Sequence, residues 1–524
     1  MNQSISRRSL LKGSVASAAM LGLSGFTARS YGQIVGSNEA IRMGVIGFNG
    51  RGMSHIDAWK SIKGVRLVAL CEADEKVMDK GYAHAMSEPR PKPKRHPATQ
   101  PSGKNVAVIP ALDGDIVAKA HKPLSITKYR DVRKLLDNKD IDGISIATPN
   151  HWHALMTIWG CQAGKDVYCE KPTCHEVWEG RKAVEAARKY NRIVQAGTQS
   201  RSMGSDRAAI AWLHAGNLGK IQVAHGLCYK RRGSIGKVAV APPPPETVDL
   251  DLWCGPSPLK APHRKHFHYD WHWFWETGNG DIGNQGIHQM DVCRWALGKP
   301  LSPNILSVGG RFGYVDDGQT PNTLFAIHNY GDMMLIFEVR GLPTHPGSDK
   351  MDKYKGQSIG EVVECEGGYL AGDADGKIAA YDNDGKQIRK FTTDDDKGED
   401  TGSHFANFIH AVRTRKRSVL NAELEVGFLS SALCHTSNIS YRLGQVADPD
   451  AIKDAVKADK PAMDTFERFQ EHLATNGVNI TMDKATLGVP LKMDVKNETF
   501  IDNPKANALL TRSYRKPFVV PEVV

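Results

Sequence analysis

Residues 42–55 have the sequence RMGVIGFNGRGMSH, and this stretch decides the fold. An apolar run ends at Gly47 and is followed by a stretch with helical spacing. A second apolar run, VRLVALCEAD at residues 65–74, then ends in acidic side chains. Strand, helix and strand within about thirty residues are typical of a βαβ unit, so the sequence predicts a parallel sheet here.

The turn after the first strand approaches the glycine pattern G-x-G-x-x-G, in which Gly47, Asn49 and Gly52 take the three glycine places. Asparagine is the least damaging replacement because it tolerates positive φ, and Gly50 adds room beside it. The pattern predicts a dinucleotide whose pyrophosphate lies on the helix N-terminus, near Arg51. The alternative is a glycine-rich turn in another doubly wound fold.

Glu72 ends the second strand, twenty residues beyond Gly52. A carboxylate at this place hydrogen-bonds the adenosine ribose and repels a 2′-phosphate. The sequence therefore predicts NAD(H) as the cofactor, with NADP(H) disfavoured.

The N-terminus carries Arg7 and Arg8, then an apolar run of small residues at 13–26, with no acidic residue before Glu39. This order predicts a twin-arginine export signal over residues 1–32, and hence passage through the twin-arginine machinery to the periplasm. No cysteine lies in the signal, so we expect no stable membrane anchor. A chance basic N-terminus is the alternative.

The composition narrows the class of protein. The net charge of +10 over 524 residues includes four basic residues of the predicted signal, and acidic residues are interleaved with basic ones elsewhere. We therefore expect no nucleic-acid partner. The nine cysteines are odd in number and form no C-x-x-C pair, which predicts buried thiols rather than a disulfide scaffold.

Three domains are predicted after the signal, in an α/β fold. Residues 40–200 alternate helices and strands, as in a doubly wound parallel sheet, with a proline-rich surface insertion at about 88–122. Residues 201–445 contain successive strands without helices between them, which predicts a large, mainly antiparallel open sheet. Residues 446–524 form a C-terminal extension.

Three further motifs are ATPNHWHA at 147–154, CEKPTC at 169–174 and GNGDIGNQGIHQMD at 278–291. Together they resemble the Gfo/Idh/MocA oxidoreductases, over most of residues 40–445. The resemblance implies a Rossmann domain followed by an α/β domain that supports the substrate pocket and the interface of a homodimer or homotetramer. It also implies NAD(P)-linked chemistry at a carbon of a sugar or polyol.

The resemblance implies roles for individual residues. Lys171 is expected to be the catalytic lysine, Glu170 to contact the nicotinamide ribose, and Pro172 to fix the turn in cis. The residues expected on the nicotinamide side are Thr148, Pro149, Asn150 and His153.

Alcohol oxidation independently requires a base, since the hydroxyl proton must leave as the hydride is removed. Burial beside a cofactor lowers the pKa of a lysine, and His288 can complete a proton relay with Lys171. The alternative for Lys171 is an ordinary surface ion pair.

The family pattern has an aspartate four residues before the histidine, where this chain has Asn284 before His288. An amide orients a hydroxyl but accepts no proton. Asp281 either substitutes for the missing carboxylate in part or caps the helix. The expected substrate contacts are Lys171, Asn284, His288 and Trp275.

A histidine-rich segment also suggests a metal, but no acid or cysteine completes a recognisable ligand set, so we predict no metal site. The histidines concerned are His263, His266, His268 and His272.

The leading hypothesis is an exported oxidoreductase with tightly bound NAD(H) that transfers hydride to or from a sugar, glycoside or polyol. A second hypothesis is an NAD-dependent glycosidase or lyase that works by transient oxidation and elimination. A third is a non-catalytic sugar-binding protein with a structural nucleotide.

Overall fold

A computed structural model describes residues 40–87 and 126–524. The predicted export signal at 1–32 and the predicted insertion at 88–122 lie outside the described residues.

The first sheet has six parallel strands in the order β3-β2-β1-β4-β5-β6, as predicted for a doubly wound fold. The strands are β1 (Ile41–Ile46), β2 (Val65–Cys71), β3 (Thr127–Tyr129), β4 (Gly143–Ile146), β5 (Asp166–Cys169) and β6 (Val194–Ala196). The strand order reverses direction between β1 and β4, and such a switch point is where doubly wound sheets bind ligands.

Helices cover both faces of this sheet. They are α1 (Arg51–Ser61), α2 (Glu75–Met86), α3 (Val132–Asp137), α4 (His153–Gln162) and α5 (Val177–Lys189). The next helix, α6 (Gly204–His214), packs on strands of the second sheet instead. Local sequence starts several of them: the Asp74 side chain caps α2, and Glu176 with Glu179 forms a capping box on α5. The buried Trp59 indole fixes α1 to the sheet by donating to Ser145 Oγ at 2.9 Å.

The second sheet has twelve strands and is mainly antiparallel, as predicted; in the described chain β7 and β10 form its one parallel pair. The strands are β7 (Ile221–Tyr229), β8 (Asn304–Gly310), β9 (Thr323–Asn329), β10 (Met334–Arg340), β11 (Ile359–Cys365), β12 (Gly368–Asp373), β13 (Ile378–Tyr381), β14 (Gln387–Phe391), β15 (Gln445–Ala447), β16 (Ala485–Leu487), β17 (Leu491–Asp494) and β18 (Thr499–Phe500). The order is β14-β13-β12-β11-β7-β10-β9-β8-β16-β15, with β17 beside β8 and β18.

Helices also cover both faces of the second sheet. The remaining helices of the described residues are α7 (Leu250–Cys254), α8 (Gly280–Asn284), α9 (Ile287–Leu297), α10 (His404–Thr414), α11 (Leu424–Leu443), α12 (Pro449–Val456), α13 (Lys460–Thr475) and α14 (Pro504–Ala508). Of these, α10 packs on the parallel sheet, where its Phe405 and Phe408 rings contact Tyr168 of β5. Along β9, Leu324 packs into the core shared with α9 and α11, whereas Phe325 packs against Phe466 and Phe469 of α13. Burial on both faces explains why the β9 sequence is a continuous apolar run rather than an alternating one.

Residues 446–524 are integrated into both units. Strands β15 to β17 extend one edge of the second sheet, and the chain then returns to the parallel sheet. There the Trp178 amide donates to Leu510 O at 2.9 Å, and the Phe518 ring lies 5.3 Å from the ring of Trp152. The tail therefore links the end of the chain to helices α4 and α5.

We expect Phe518→Ala to lower the free energy of unfolding by about 3 kcal/mol, because it leaves a cavity at a fully buried ring. Urea denaturation measures the change. Val519→Ala is the matched control: that side chain is 39% exposed, so its truncation is expected to cost about 0.5 kcal/mol or less. Equal losses in the two variants would show that the tail does not stabilise the fold.

All nine cysteines are buried free thiols. In residues 40–87 and 126–524 no helix is both long and apolar enough to cross a bilayer.

Candidate active site

A cavity of about 570 Å³ lies at the carboxyl ends of β1 and β4, where the second unit meets the parallel sheet. The β1–α1 loop forms one wall of it. The opposite wall is built by residues that follow β7 and by the segment joining α8 to α9. The cavity thus occupies the switch point of the first sheet.

The β1–α1 loop is shaped for close backbone approach. Gly47 has φ +75°, and a Cβ there would lie 2.7 Å from the Thr148 methyl carbon. A Cβ on Gly52 would lie 2.0 Å from the carbonyl oxygen of Gly47, so α1 can approach β1 only with glycine at this place. The space beside Gly50 is open, and α1 begins without a side-chain cap. Open space above uncapped helix amides fits a pyrophosphate. Asn49 lies on the same wall.

Glu72 lies at the cavity wall, held by backbone amides. Its Oε2 accepts from Phe48 N at 3.1 Å, and its Oε1 accepts from Ala73 N at 2.8 Å and Asp74 N at 3.3 Å. Burial raises the pKa of this carboxyl to about 7, although the amide donors oppose the shift. This position fits the predicted contact with the adenosine ribose.

Glu170 is the centre of a buried charged cluster. Its Oε1 accepts from Arg51 Nε at 2.8 Å and from Gln199 Nε2 at 3.0 Å, and lies 3.1 Å from His55 Nε2. Burial opposes ionisation, but the charge of Arg51 and the contact with His55 hold the pKa of Glu170 well below its usual range. Arg51 was expected near the pyrophosphate; its guanidinium instead pairs with Glu170.

The ATPNHWHA motif forms the cavity wall beside β4. His153 lies with Nδ1 2.5 Å from Pro172 O and Nε2 2.8 Å from Thr148 O, and Asn150 Nδ2 donates to Asn279 Oδ1 at 2.9 Å. In the described part of the chain the buried Thr148 hydroxyl has no hydrogen-bond partner. The motif residues that line the cavity are Thr148, Pro149, Asn150 and His153.

Lys171 follows the end of β5 and points into the same cavity. Its Nζ donates to the backbone oxygen of Asn284 at 2.6 Å, which ties the parallel sheet to the second unit. Burial lowers the pKa of this amine, although the charge of Glu170 opposes the shift. The Lys171–Pro172 peptide bond is cis, as the resemblance implied.

Asn284 and His288 both line the cavity, but on two short helices rather than on one continuous helix. Asn284 ends α8, and His288 lies in the first turn of α9. Burial, followed by the nearby charge of Lys171, lowers the pKa of His288 to about 3. The His288 ring is therefore neutral at neutral pH. It can relay a proton only by accepting one at one ring nitrogen while it releases the proton carried by the other.

Asp281 neither caps the helix nor replaces the missing carboxylate. It is fully buried and accepts two hydrogen bonds from Arg232, from Nε at 2.6 Å and from Nη2 at 2.5 Å. Burial raises the pKa of Asp281, but the charge of Arg232 outweighs it and keeps the pKa below the usual range. The remaining Nη1 of Arg232 donates to the Tyr269 hydroxyl at 3.0 Å.

Trp275 lies away from the cavity, which corrects its predicted substrate contact. Its ring is 6.4 Å from that of Tyr441, and the Arg442 guanidinium lies 5.0 Å from it. The aromatic side chains that do line the cavity are Trp253, Tyr269 and Trp271.

Sequence reasoning missed several cavity residues, chiefly Gln199, Lys230 and Gln285. Lys230 comes directly after β7, so its place at a strand end was visible in the sequence. The sequence did not show that this strand end packs over the parallel sheet.

The histidine-rich segment makes local hydrogen bonds. His268 Nε2 lies 2.7 Å from Asp74 Oδ2, and His272 Nδ1 lies 2.8 Å from Tyr269 O. Over the described ranges no group of three His, Cys, Asp or Glu residues is placed to hold a metal ion.

Two family profiles match the chain. One, described as an oxidoreductase family with an NAD-binding Rossmann fold, covers residues 92–198, and its C-terminal alpha/beta domain profile covers residues 217–310. Residues 92–198 and 217–310 thus match the two domains of the Gfo/Idh/MocA oxidoreductase family. The parallel-sheet unit of the chain is accordingly an NAD-binding Rossmann domain.

Curated relatives match this chain only in part. A "Glycosyl hydrolase family 109 protein" of Shewanella baltica is 30% identical over 193 residues, which are 33% of this chain and 36% of the relative. An "Alpha-N-acetylgalactosaminidase" of Shewanella oneidensis is 32% identical over 151 residues, 28% of this chain and 27% of the relative. The chain thus spans about a third of the length of these relatives.

Solved structures share the Gfo/Idh/MocA fold over a larger part of the chain. The WlbA dehydrogenase from Bordetella pertussis, in complex with NADH and UDP-GlcNAcA, has TM-score 0.51 and 15% identity, covering 76% of this chain and 96% of that one. An aldose-aldose oxidoreductase from Caulobacter crescentus has TM-score 0.51 and 14% identity, covering 76% and 98%. At this identity the likeness concerns the fold alone.

Proposed function

We propose that this chain is an NAD(H)-dependent enzyme that oxidises or reduces a secondary alcohol carbon of a sugar, glycoside or polyol. One observation carries the proposal: the buried Lys171 amine points into the cavity onto which the dinucleotide loop opens. NAD, when bound, supplies a hydride acceptor or donor there. The residues that would hold it are the β1–α1 loop, Glu72 and the ATPNHWHA wall.

Lys171 is the proposed base in oxidation. The Asn284 backbone carbonyl accepts a hydrogen bond from the Lys171 amine at 2.6 Å, and this contact orients the rest of the amine toward the cavity. Because burial lowers the pKa of Lys171, more of the amine is in the free-base form at neutral pH, ready to take the hydroxyl proton.

His288 and Asn284 are proposed to orient the reacting hydroxyl. A neutral imidazole can donate from one nitrogen and accept at the other. No described residue hydrogen-bonds the His288 ring, so both nitrogens are available to substrate and to Lys171. The Asn284 amide adds a donor and an acceptor, but no base.

We expect kcat/KM for alcohol oxidation to rise with pH and to level off above the pKa of Lys171. That pKa lies below the 10.5 of an ordinary lysine, because burial disfavours the ammonium. A pH–rate profile measures the acidic limb, and in Lys171→Met the limb should disappear. A limb centred at or above 10.5 would contradict the assignment.

The direct test is a screen of sugars, glycosides and polyols against the protein as isolated, read as nicotinamide absorbance at 340 nm. Bound NAD should be reduced by the true substrate. Denaturing the same preparation should release nucleotide in a one-to-one ratio to protein, as tight binding requires. If no compound changes the absorbance, a sugar-binding protein with a structural nucleotide becomes the better description.

A second candidate is a glycosidase that oxidises a sugar carbon, eliminates the glycosidic substituent as the neighbouring C–H loses its proton, adds water across the resulting double bond and then reduces the ketone. The names of the Shewanella relatives favour it. In deuterated water this route places deuterium at C2 of the released sugar, because the C–H there must exchange for elimination. Accumulation of a ketone without exchange would exclude it.

We also propose that the protein is exported through the twin-arginine machinery and works as a homo-oligomer. Replacing Arg7 and Arg8 with lysine should retain the protein in the cytoplasmic fraction. Sedimentation of the purified protein measures the assembly state.

A further inference from the structure

The second unit brings basic side chains to one end of the cavity. We call this end the substrate half and define it by Lys171, Lys230, Arg232, Gln285 and His288. Three of the five are basic: Lys171 follows β5, and Lys230 and Arg232 follow β7.

Arg232 already has its counter-ion. Its guanidinium forms a bidentate ion pair with the Asp281 carboxylate, and the two side chains are 9% and 0% exposed. Lys171 lies next to Glu170, but the carboxylate of Glu170 is taken by Arg51. The acidic side chains beside the substrate half, Asp281 and Glu170, are thus already paired with Arg232 and Arg51.

Neither Lys171 nor Lys230 has an anionic partner within 4 Å among the described residues, but Lys171 is assigned to the reacting hydroxyl and Lys230 is not. Lys230 Nζ donates to Gln285 Oε1 at 3.2 Å, and no carboxylate oxygen of residues 40–87 or 126–524 lies within 4 Å of it. The Gln285 amide nitrogen beside it also has no acceptor among those residues. Of the other carboxylates on the cavity wall, Glu72 is held by backbone amides and Asp375 lies on an exposed turn.

An unpaired ammonium in a partly buried wall is costly unless an anion completes it. One ammonium and one amide N–H together match the two oxygens and the single charge of a carboxylate. A phosphate monoester fits this pair of donors less well, because it carries more charge and commonly recruits several cations.

We propose that the substrate is an anionic sugar, a uronic acid or its glycoside, whose carboxylate is bound by Lys230 and Gln285. This inference rests on the proposed function, since it assigns the substrate class of the same cavity. The reacting hydroxyl then lies toward Lys171 and His288, and the carboxylate fixes which carbon faces the nicotinamide.

The test compares D-glucuronate and D-galacturonate with D-glucose and D-galactose, by calorimetric titration of the NADH-loaded protein. The variants are Lys230→Met and Arg231→Met. Arg231 is the matched control because it is the adjacent residue, carries the same charge, pairs with Asp349 and does not line the cavity. Both variants therefore change the net charge equally.

We expect wild type and Arg231→Met to bind at least one uronate about tenfold or more tightly than its neutral counterpart. Lys230→Met should lose that preference and leave the affinity for neutral sugars unchanged. The preference should also weaken as ionic strength rises.

Equal affinity of wild type for acid and neutral sugars, no binding of either uronate, or equal losses in the two variants would overturn the inference. Turnover, measured as nicotinamide absorbance at 340 nm, distinguishes failure of this inference from failure of the proposed function. Uronate binding without any NAD reduction would leave the carboxylate site standing and refute the oxidoreductase. NAD reduction by neutral sugars, without tighter binding of the acidic sugars, would support the oxidoreductase and refute the carboxylate site.

Discussion

Lys171→Met is expected to lower kcat about 10³-fold while leaving NADH affinity unchanged. The substitution keeps an unbranched chain of similar length in the buried site but removes the amine that takes the hydroxyl proton. It also removes the donor to Asn284 O, a single hydrogen bond. Steady-state kinetics with the sugar found by the nicotinamide screen give kcat, and NADH fluorescence titration gives the affinity.

Two variants control this result. Lys171→Arg keeps the positive charge but has no free-base form near neutral pH, so it should be nearly as impaired as Lys171→Met. Lys182→Met removes a lysine that pairs with Glu185 on α5, outside the cavity, and should retain full activity. Retention of more than about a tenth of kcat in Lys171→Met would remove Lys171 from the role of base.

Gly52→Ala is expected to lower the free energy of unfolding by about 3 kcal/mol and to abolish NAD binding. The added Cβ would lie 2.0 Å from the Gly47 carbonyl oxygen and 2.8 Å from Phe48 Cβ, so α1 must move away from β1. That movement carries away the helix amides that receive the pyrophosphate. Thermal unfolding and NADH fluorescence measure the two effects.

Gly50→Ala separates binding from stability in the same loop. Nothing lies within 4 Å of a Cβ built there, and its φ of −142° lies outside the left-handed region that favours glycine. The fold should be unchanged, whereas NAD affinity should fall about tenfold because the methyl group occupies space left for phosphate. Equal stability of Gly50→Ala and Gly52→Ala would show that helix packing does not explain the glycine at residue 52.

The dinucleotide loop was predictable because its determinants are local. Gly52 is required by its contact with the Gly47 carbonyl oxygen and Gly47 by its φ of +75°, and both follow from strand-loop-helix geometry. The additional close approach of Gly47 to Thr148 is a long-range contact. The position of Glu72 beside the loop was predictable for the same reason, since a residue at the end of β2 must lie beside the end of β1. The missing middle glycine mattered little, because Gly50 keeps the space open.

Several charges were not predictable from local pattern. Arg51 was expected to face phosphate, yet it pairs with Glu170, 119 residues away. Asp281 looked like a cap or a substitute base, yet it is the counter-ion of Arg232, 49 residues away. Each of these pairs forms because two buried groups must neutralise each other, and a linear pattern does not say which residues are buried together.

The sequence by itself determined the βαβ start and the parallel and antiparallel sheets, because periodicity and turn chemistry act over a few residues. The cis Lys171–Pro172 bond and the expected role of Lys171 followed from the family resemblance of the CEKPTC motif. The tertiary structure alone decided that Trp275 stays outside the cavity, that Lys230 enters it, and that the C-terminal tail returns to the Rossmann domain. These depend on which surfaces pack together across hundreds of residues, where the balance of burial and charge over the whole chain selects the arrangement.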